Sequence, residues 1–254
     1  MGNKKIQKFI DKLRGKYKKK LLKLNIQNNV KIKESDLEKV NVNIQGQNNV
    51  IEVEDAHLFD KSDETRISIN IDGSNNIIHI EDITLANNAY IALYISGDNN
   101  KITIKKGFNV DRFFASQMGS NHPYFGKIQN SEIFIDENTV IQSMNYFCYT
   151  NNTPLKIGKN CMIAFDINIY NTDAHPILDL NTKKVINKVK GIKLGDHIWL
   201  GANSSIMKNV TLPDDCIVGW NSVVSSSINR QIEPHSIIAG NPAKLVKRGV
   251  TWDA

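Results

Sequence analysis

Six histidines carry the acid–base options of this sequence: His57, His79, His122, His175, His197 and His235. An imidazole titrates near pH 6.5 and can take a proton at neutral pH, which suits it to general-base work. His175 stands apart because it opens an irregular polar stretch, residues 170–191. Asp173, two residues earlier, either orients the ring or caps a turn. His57 and His79 fall inside strand-like repeats, His197 and His235 beside strand-like or turn-like stretches, and His122 in an expected loop. A catalytic zinc site needs three converging ligands. No HxxxxH pair occurs, so no metal is expected. Cys148, Cys161 and Cys216 form neither a CxxC pair nor a disulfide framework, and all three suit small apolar filler.

Other chemistry-bearing residues lie downstream. Trp199 precedes the aliphatic Leu200, so in a strand it points away from the core and must line a site or be covered. Lys244, Lys247 and Arg248 form a basic cluster suited to phosphate or to a solvated tail.

Aliphatic residues recur every six positions at Leu194, Leu200, Ile206, Leu212, Val218 and Val224. Shorter blocks run through Ile157, Ile163 and Ile169, and through Ile135, Ile141 and Phe147. Upstream, one phrase recurs as VNVNIQGQNNVIEVED, ISINIDGSNNIIHIED and YIALYISGDNNKITIKKG, with Gly46, Gly73 and Gly97 spaced 27 and 24 residues apart. Each copy reads as strand, Gly/Asn turn, strand, because Gly and Asn tolerate the left-handed backbone of a tight corner. Such repeats specify a solenoid that stacks one unit per coil. The six-residue beat predicts an all-β, triangular parallel β-helix with anchors pointing inward. Residues 170–191 break the beat and are expected to leave the coil as a loop.

The chain has 254 residues and a net charge of +6. Residues 1–24 hold ten Lys/Arg against Asp11, a net of +9, which leaves −3 for the rest. A basic surface for nucleic acid is therefore not expected. The arm has the apolar spacing of a basic amphipathic helix, suited to an anionic membrane or polymer or to packing on its own protein. No apolar run approaches the roughly 18 residues of a membrane span, and the polar start is unlike a secretory signal. A cytoplasmic protein, peripheral at the inner membrane face, is the expectation. Three regions follow: the arm 1–24, Asn-rich coils over 25–129, and a hexapeptide-repeat region over 130–254.

Three stretches carry a resemblance to a known family: IGKNCMIAFDINIYNTDAHPILD, then IKLGDHIWLGANSSIMKNVTLPDDCIVGWNSVV, then IIAGNPAKLVKR. They resemble the hexapeptide-repeat acyltransferases, and most of all the branch that O-acetylates bacterial capsular polysaccharide and polysialic acid. The resemblance implies a left-handed parallel β-helix, a homotrimer with sites between subunits, and acetyl-CoA as donor. It places His175 at the catalytic histidine and Trp199 at an active-site tryptophan. It sets Gly201, Ala202, Gly219 and Trp220 along the pantetheine arm, and Lys244, Lys247 and Arg248 near the nucleotide. Trp220 departs from the family's usual Ala, and residues 225–235 exceed its usual link.

The function implied is acetyl transfer to a sugar hydroxyl of a surface polysaccharide, capsule or O-antigen. His175 acts as base and no covalent enzyme intermediate is required, since the thioester is already activated. Two alternatives stand beside it: acetyl transfer to a small acceptor (free sugar, amino sugar nucleotide or serine), and a non-catalytic glycan-binding solenoid.

Overall fold

The computed structural model describes residues 28–33, 40–58, 65–86, 88–121 and 126–253. The expected helix over 1–24, and His122, lie outside the described residues. The strands in chain order are β1 (Asn29–Ile32), β2 (Val40–Gln45), β3 (Val50–Leu58), β4 (Arg66–Asp72), β5 (Ile77–Leu85), β6 (Tyr90–Asp98), β7 (Lys101–Ile104), β8 (Phe108–Met118), β9 (Ile128–Gln129), β10 (Glu132–Ile135) and β11 (Val140–Cys148). The second half adds β12 (Pro154–Ile157), β13 (Met162–Ile163), β14 (Ile167–Tyr170), β15 (Ile192–Leu194), β16 (Trp199–Leu200), β17 (Ser205–Met207), β18 (Thr211–Leu212), β19 (Ile217–Val218), β20 (Val223–Val224), β21 (Ser236–Gly240) and β22 (Ala243–Arg248).

These strands stack into three parallel ladders, the faces of a prism. The first face climbs through β10, β12, β15 and β18. The second runs from the start of β11 through β13, β16, β19 and β21. The third runs from the end of β11 through β14, β17 and β20. Each coil visits the faces in that order. Every six-residue anchor from Leu194 to Val224 is at most 1% exposed, as the periodicity requires. Burying each such side chain contributes about 1.5–3 kcal/mol.

The Asn-Gly phrases form the corners of the early coils. In each Asn-Asn pair the first residue (Asn48, Asn75, Asn99) takes a positive φ. The second (Asn49, Asn76, Asn100) turns inward and builds a ladder of amides. Asn76 Nδ2 donates to Asn49 Oδ1 and to the Gly97 carbonyl, while Asn76 Oδ1 accepts from Asn100. The glycines serve close approach: a Cβ on Gly73 would lie 1.8 Å from the Gly97 oxygen.

Phe147 corrects the third anchor block. The corner between Ile141 and Met144 is one residue shorter than that between Ile163 and Ile167, judged by their ladder partners. Tyr146 therefore points inward and is fully buried, while Phe147 faces outward and stacks on Tyr170 at 5.3 Å. The long link 225–235 also finds its place. A 3-10 helix, Ser226–Arg230, replaces a strand on the first face and buries Ile228. The chain then returns as β21 and doubles back antiparallel as β22.

Candidate active site

Residues 171–191 leave the prism between the third and first faces, as the broken beat predicts. Asn171 fastens the exit: it is buried, and its Nδ2 donates to Tyr146 Oη at 3.1 Å and to the Pro154 carbonyl. Burial holds the Tyr146 hydroxyl well above the usual tyrosine range, so it stays protonated. Thr172 Oγ1 accepts the Ala174 N–H. Ala174 has φ of 63°, a conformation L residues other than Asn and Asp seldom adopt. Among the described residues, eleven of the seventeen non-glycine residues with positive φ are Asn, and Ala174 alone of the seventeen lacks a polar side chain. Local strain of this sort is often held at functional sites, and here it sits directly before His175.

The loop is buttressed by the next coil and by its own returning limb. Asp173 Oδ2 accepts from Lys208 Nζ at 2.6 Å and from Asn187 Nδ2 at 2.8 Å. Asn187 Nδ2 also donates to the His175 carbonyl at 2.9 Å. The Asp173 carboxylate is thus bound to the loop's other limb and to the residue after β17. Lys208 and Asn187 carry no motif in the sequence and were not foreseen. His175 itself is exposed. Farther out, Leu178 and Val185 form an antiparallel bridge. Ile177, Leu178, Leu180 and Ile186 are each at least half exposed.

The other expected site residues gather at a different corner, between the second and third faces. Trp199 is outward, as its place beside Leu200 requires, and half-buried. Its cover includes a residue that was not foreseen: Trp252 lies 6.1 Å away, stacks on His197 at 4.2 Å, and donates its indole N–H to the His197 carbonyl. Gly201 donates its N–H to the Val218 carbonyl, and Asn221 donates to Ala202, so the Gly201-Ala202 and Gly219-Trp220 corners stack one coil apart. A Cβ on Gly201 would meet Trp220 Cδ1 at 2.6 Å; the glycine makes room for the indole, which remains 68% exposed. On β22, Lys244 and Lys247 are exposed, with no carboxylate within 4 Å among the described residues. Arg248 differs: its guanidinium pairs with Glu233 at 2.6 Å.

His175 and Asp173 therefore occupy one corner of the prism, and Trp199, Gly201, Ala202, Gly219 and Trp220 another. Cys161 and Cys216 are buried, as expected of filler, and desolvation pushes their thiols up to about 12 and about 11. Glu52, Glu54 and His79 bring ligand atoms within 4.8 Å of one another. Lys31 pairs with Glu52 there, and Lys105 with the adjacent Glu81.

The fold is a left-handed parallel β-helix, which the chain shares with a solved acetyltransferase structure. Within that class the chain is similar to polysialic acid O-acetyltransferases. One from Escherichia coli O1:K1 / APEC is 32% identical over 124 residues, 49% of this chain and 39% of that relative. Another, from Neisseria meningitidis, is 32% identical over 98 residues, 39% of this chain and 44% of the relative. These matches span about two fifths of the curated relatives' own lengths. The crystal structure of the polySia specific acetyltransferase NeuO superposes with a TM-score of 0.67 at 26% identity, covering 88% of both chains. No family model matches the chain. No helix among the described residues is long and apolar enough to cross a membrane.

Proposed function

We propose that the protein is an acetyl-CoA-dependent O-acetyltransferase that acts on a sugar hydroxyl of a bacterial surface polysaccharide. The observation that carries this is His175, presented on an extruded loop beside the strained Ala174 and buttressed through Asp173, Asn187 and Lys208. The similarity to polysialic acid O-acetyltransferases supports the choice of acceptor.

Acetyl-CoA supplies an already activated acyl group. The residues present suit it: close-packed glycine corners offer backbone to the pantetheine arm, and the exposed Lys244 and Lys247 suit phosphates. A sugar hydroxyl is a poor nucleophile at neutral pH. His175 takes its proton as the oxygen attacks the thioester carbonyl, then returns a proton to the departing sulfur. Backbone N–H groups at a coil corner hold the developing oxyanion. Asp173 acts as a positioning residue for the loop.

His175 and Trp199 lie at different corners of one prism, so a complete site requires a neighbouring copy. We infer a homotrimer, the assembly that the resemblance implies, with each site shared between chains. The protein works in the cytoplasm, and the arm 1–24 holds it against an anionic membrane or polymer. Thiol release from acetyl-CoA, with and without polysaccharide, tests the activity; polysaccharide-dependent release is expected. Mixing His175→Ala with Trp199→Ala chains tests the sharing. Mixed trimers that regain activity support it, and light scattering that shows a monomer contradicts it.

A further inference from the structure

A trough of about 880 Å³ lies on the first face, at the foot of the loop's descending limb. Lys156, Lys190, Lys193 and Arg230 line it together with the hydroxyls of Thr211 and Ser227, and among the described residues no acidic one does. Lys156 and Lys193 are ladder partners on β12 and β15, and Lys193 is in turn the partner of Thr211 on β18. Adjacent strands are about 4.8 Å apart, so two ammonium groups ride on directly opposed positions. Like charges directly opposed across strands destabilise a sheet. Compensation within the chain is slight. Lys156 reaches Glu132 only at 3.9 Å. Among the described residues, Lys190, Lys193 and Arg230 have no carboxylate within 4 Å.

The trough is also a built shape. Its floor is stitched by amides: Asn209 Oδ1 accepts from the Lys190 N–H, and Asn229 Nδ2 donates to the Asn209 carbonyl. Its wall needs Gly191, where φ is 115° and a Cβ would lie 2.6 Å from the Pro154 oxygen. Lys190 is three residues from Asn187, a span of at most about 11 Å, and Asn187 holds the His175 carbonyl.

We propose that this trough docks an acidic glycan, binding carboxylates of the acceptor polymer beyond the unit being acetylated. This rests on the proposed acetyl transfer for its acceptor, but the binding itself does not require catalysis. Cations repeated from coil to coil along the prism axis match a linear polyanion better than a compact phosphate. Among the described residues no aromatic side chain lines the trough for a nucleotide base, whereas Trp220 and the exposed lysines of β22 lie elsewhere.

The test uses the full chain and the double variant Lys156→Gln/Lys193→Gln. Polygalacturonate is the probe, with dextran of matched length as neutral control and acetyl-CoA titrated separately, all by calorimetry at low salt. The expected result is polygalacturonate binding that weakens about tenfold or more in the variant, with acetyl-CoA affinity within about twofold of the parent. Dextran should show no binding to either protein. Melting temperature should hold or rise, because a like-charge pair is removed. Lys156→Arg/Lys193→Arg should retain binding. Unchanged polygalacturonate affinity would overturn the proposal. So would a parallel loss of acetyl-CoA affinity, which would make the trough a donor-phosphate site, or a marked fall in melting temperature, which would make the lysines structural. Failure of acetyl transfer with binding intact would count against the enzymatic function alone.

Discussion

Lys208 Nζ lies 2.6 Å from Asp173 Oδ2, with both side chains mostly shielded from solvent. The contact ties the base of an extruded loop to the coil above it, and Asn187 extends the tie to the His175 backbone. Removing one partner of such a pair leaves the other charge poorly solvated, at a cost of about 1–3 kcal/mol. Lys208→Met should therefore lower kcat about tenfold or more while acetyl-CoA binding persists. Protection of loop amides in hydrogen exchange should fall in parallel. A variant with normal kcat would show that the tie does not position the base.

The amide ladder predicts where the early coils are brittle. Asn76→Ala removes hydrogen bonds to Asn49, Gly97 and Asn100 and leaves buried groups unpaired. Denaturant unfolding should show a loss of about 2–4 kcal/mol. Gly73→Ala should not fold as the parent does, since its Cβ would sit on the Gly97 oxygen. Loss below 0.5 kcal/mol for Asn76→Ala would mean the ladder is not structural.

The thiols give a pH-dependent prediction. Burial raises the folded-state values of Cys161 to about 12 and Cys216 to about 11. Unfolded thiols ionise near pH 8.5, so the contribution of these groups to stability is complete below that value. It falls as pH rises from there toward 11–12, because the unfolded state releases protons first. At pH 8 the folded protein should react with a thiol reagent only at its unfolding rate. Rapid modification of either cysteine would refute the burial of these residues.

Trp220 is 68% exposed, held over Gly201 at the corner assigned to the donor. Trp220→Ala should change stability by less than about 0.5 kcal/mol yet raise KM for acetyl-CoA several-fold. A change in stability with unaltered KM would assign the indole to packing instead.

The prism was legible because a six-residue beat of aliphatics has one simple solution, and each anchor from Leu194 to Val224 is buried as that beat demands. Phe147 misled because one residue lost at a corner turns the next strand over, and nothing local marks the loss. The extruded loop that carries His175 was legible from the broken six-residue beat. Lys208 and Asn187 were not, since one acts from a stacked coil 35 residues from Asp173 and the other from the loop's returning limb 14 residues away. Trp252 was missed for the same reason: it reaches His197 across 55 residues. The lysine column was open to discovery, because Lys156 and Lys193 each precede an anchor, Ile157 and Leu194, and so must point outward together.

The most direct test is the turnover of His175→Ala, read as thiol release from acetyl-CoA in the presence of polysaccharide. The account predicts a fall in kcat of about a hundred- to ten-thousand-fold, with the β-helix folded, the assembly intact and acetyl-CoA affinity nearly unchanged. Near-normal turnover in a correctly folded His175→Ala protein would contradict it.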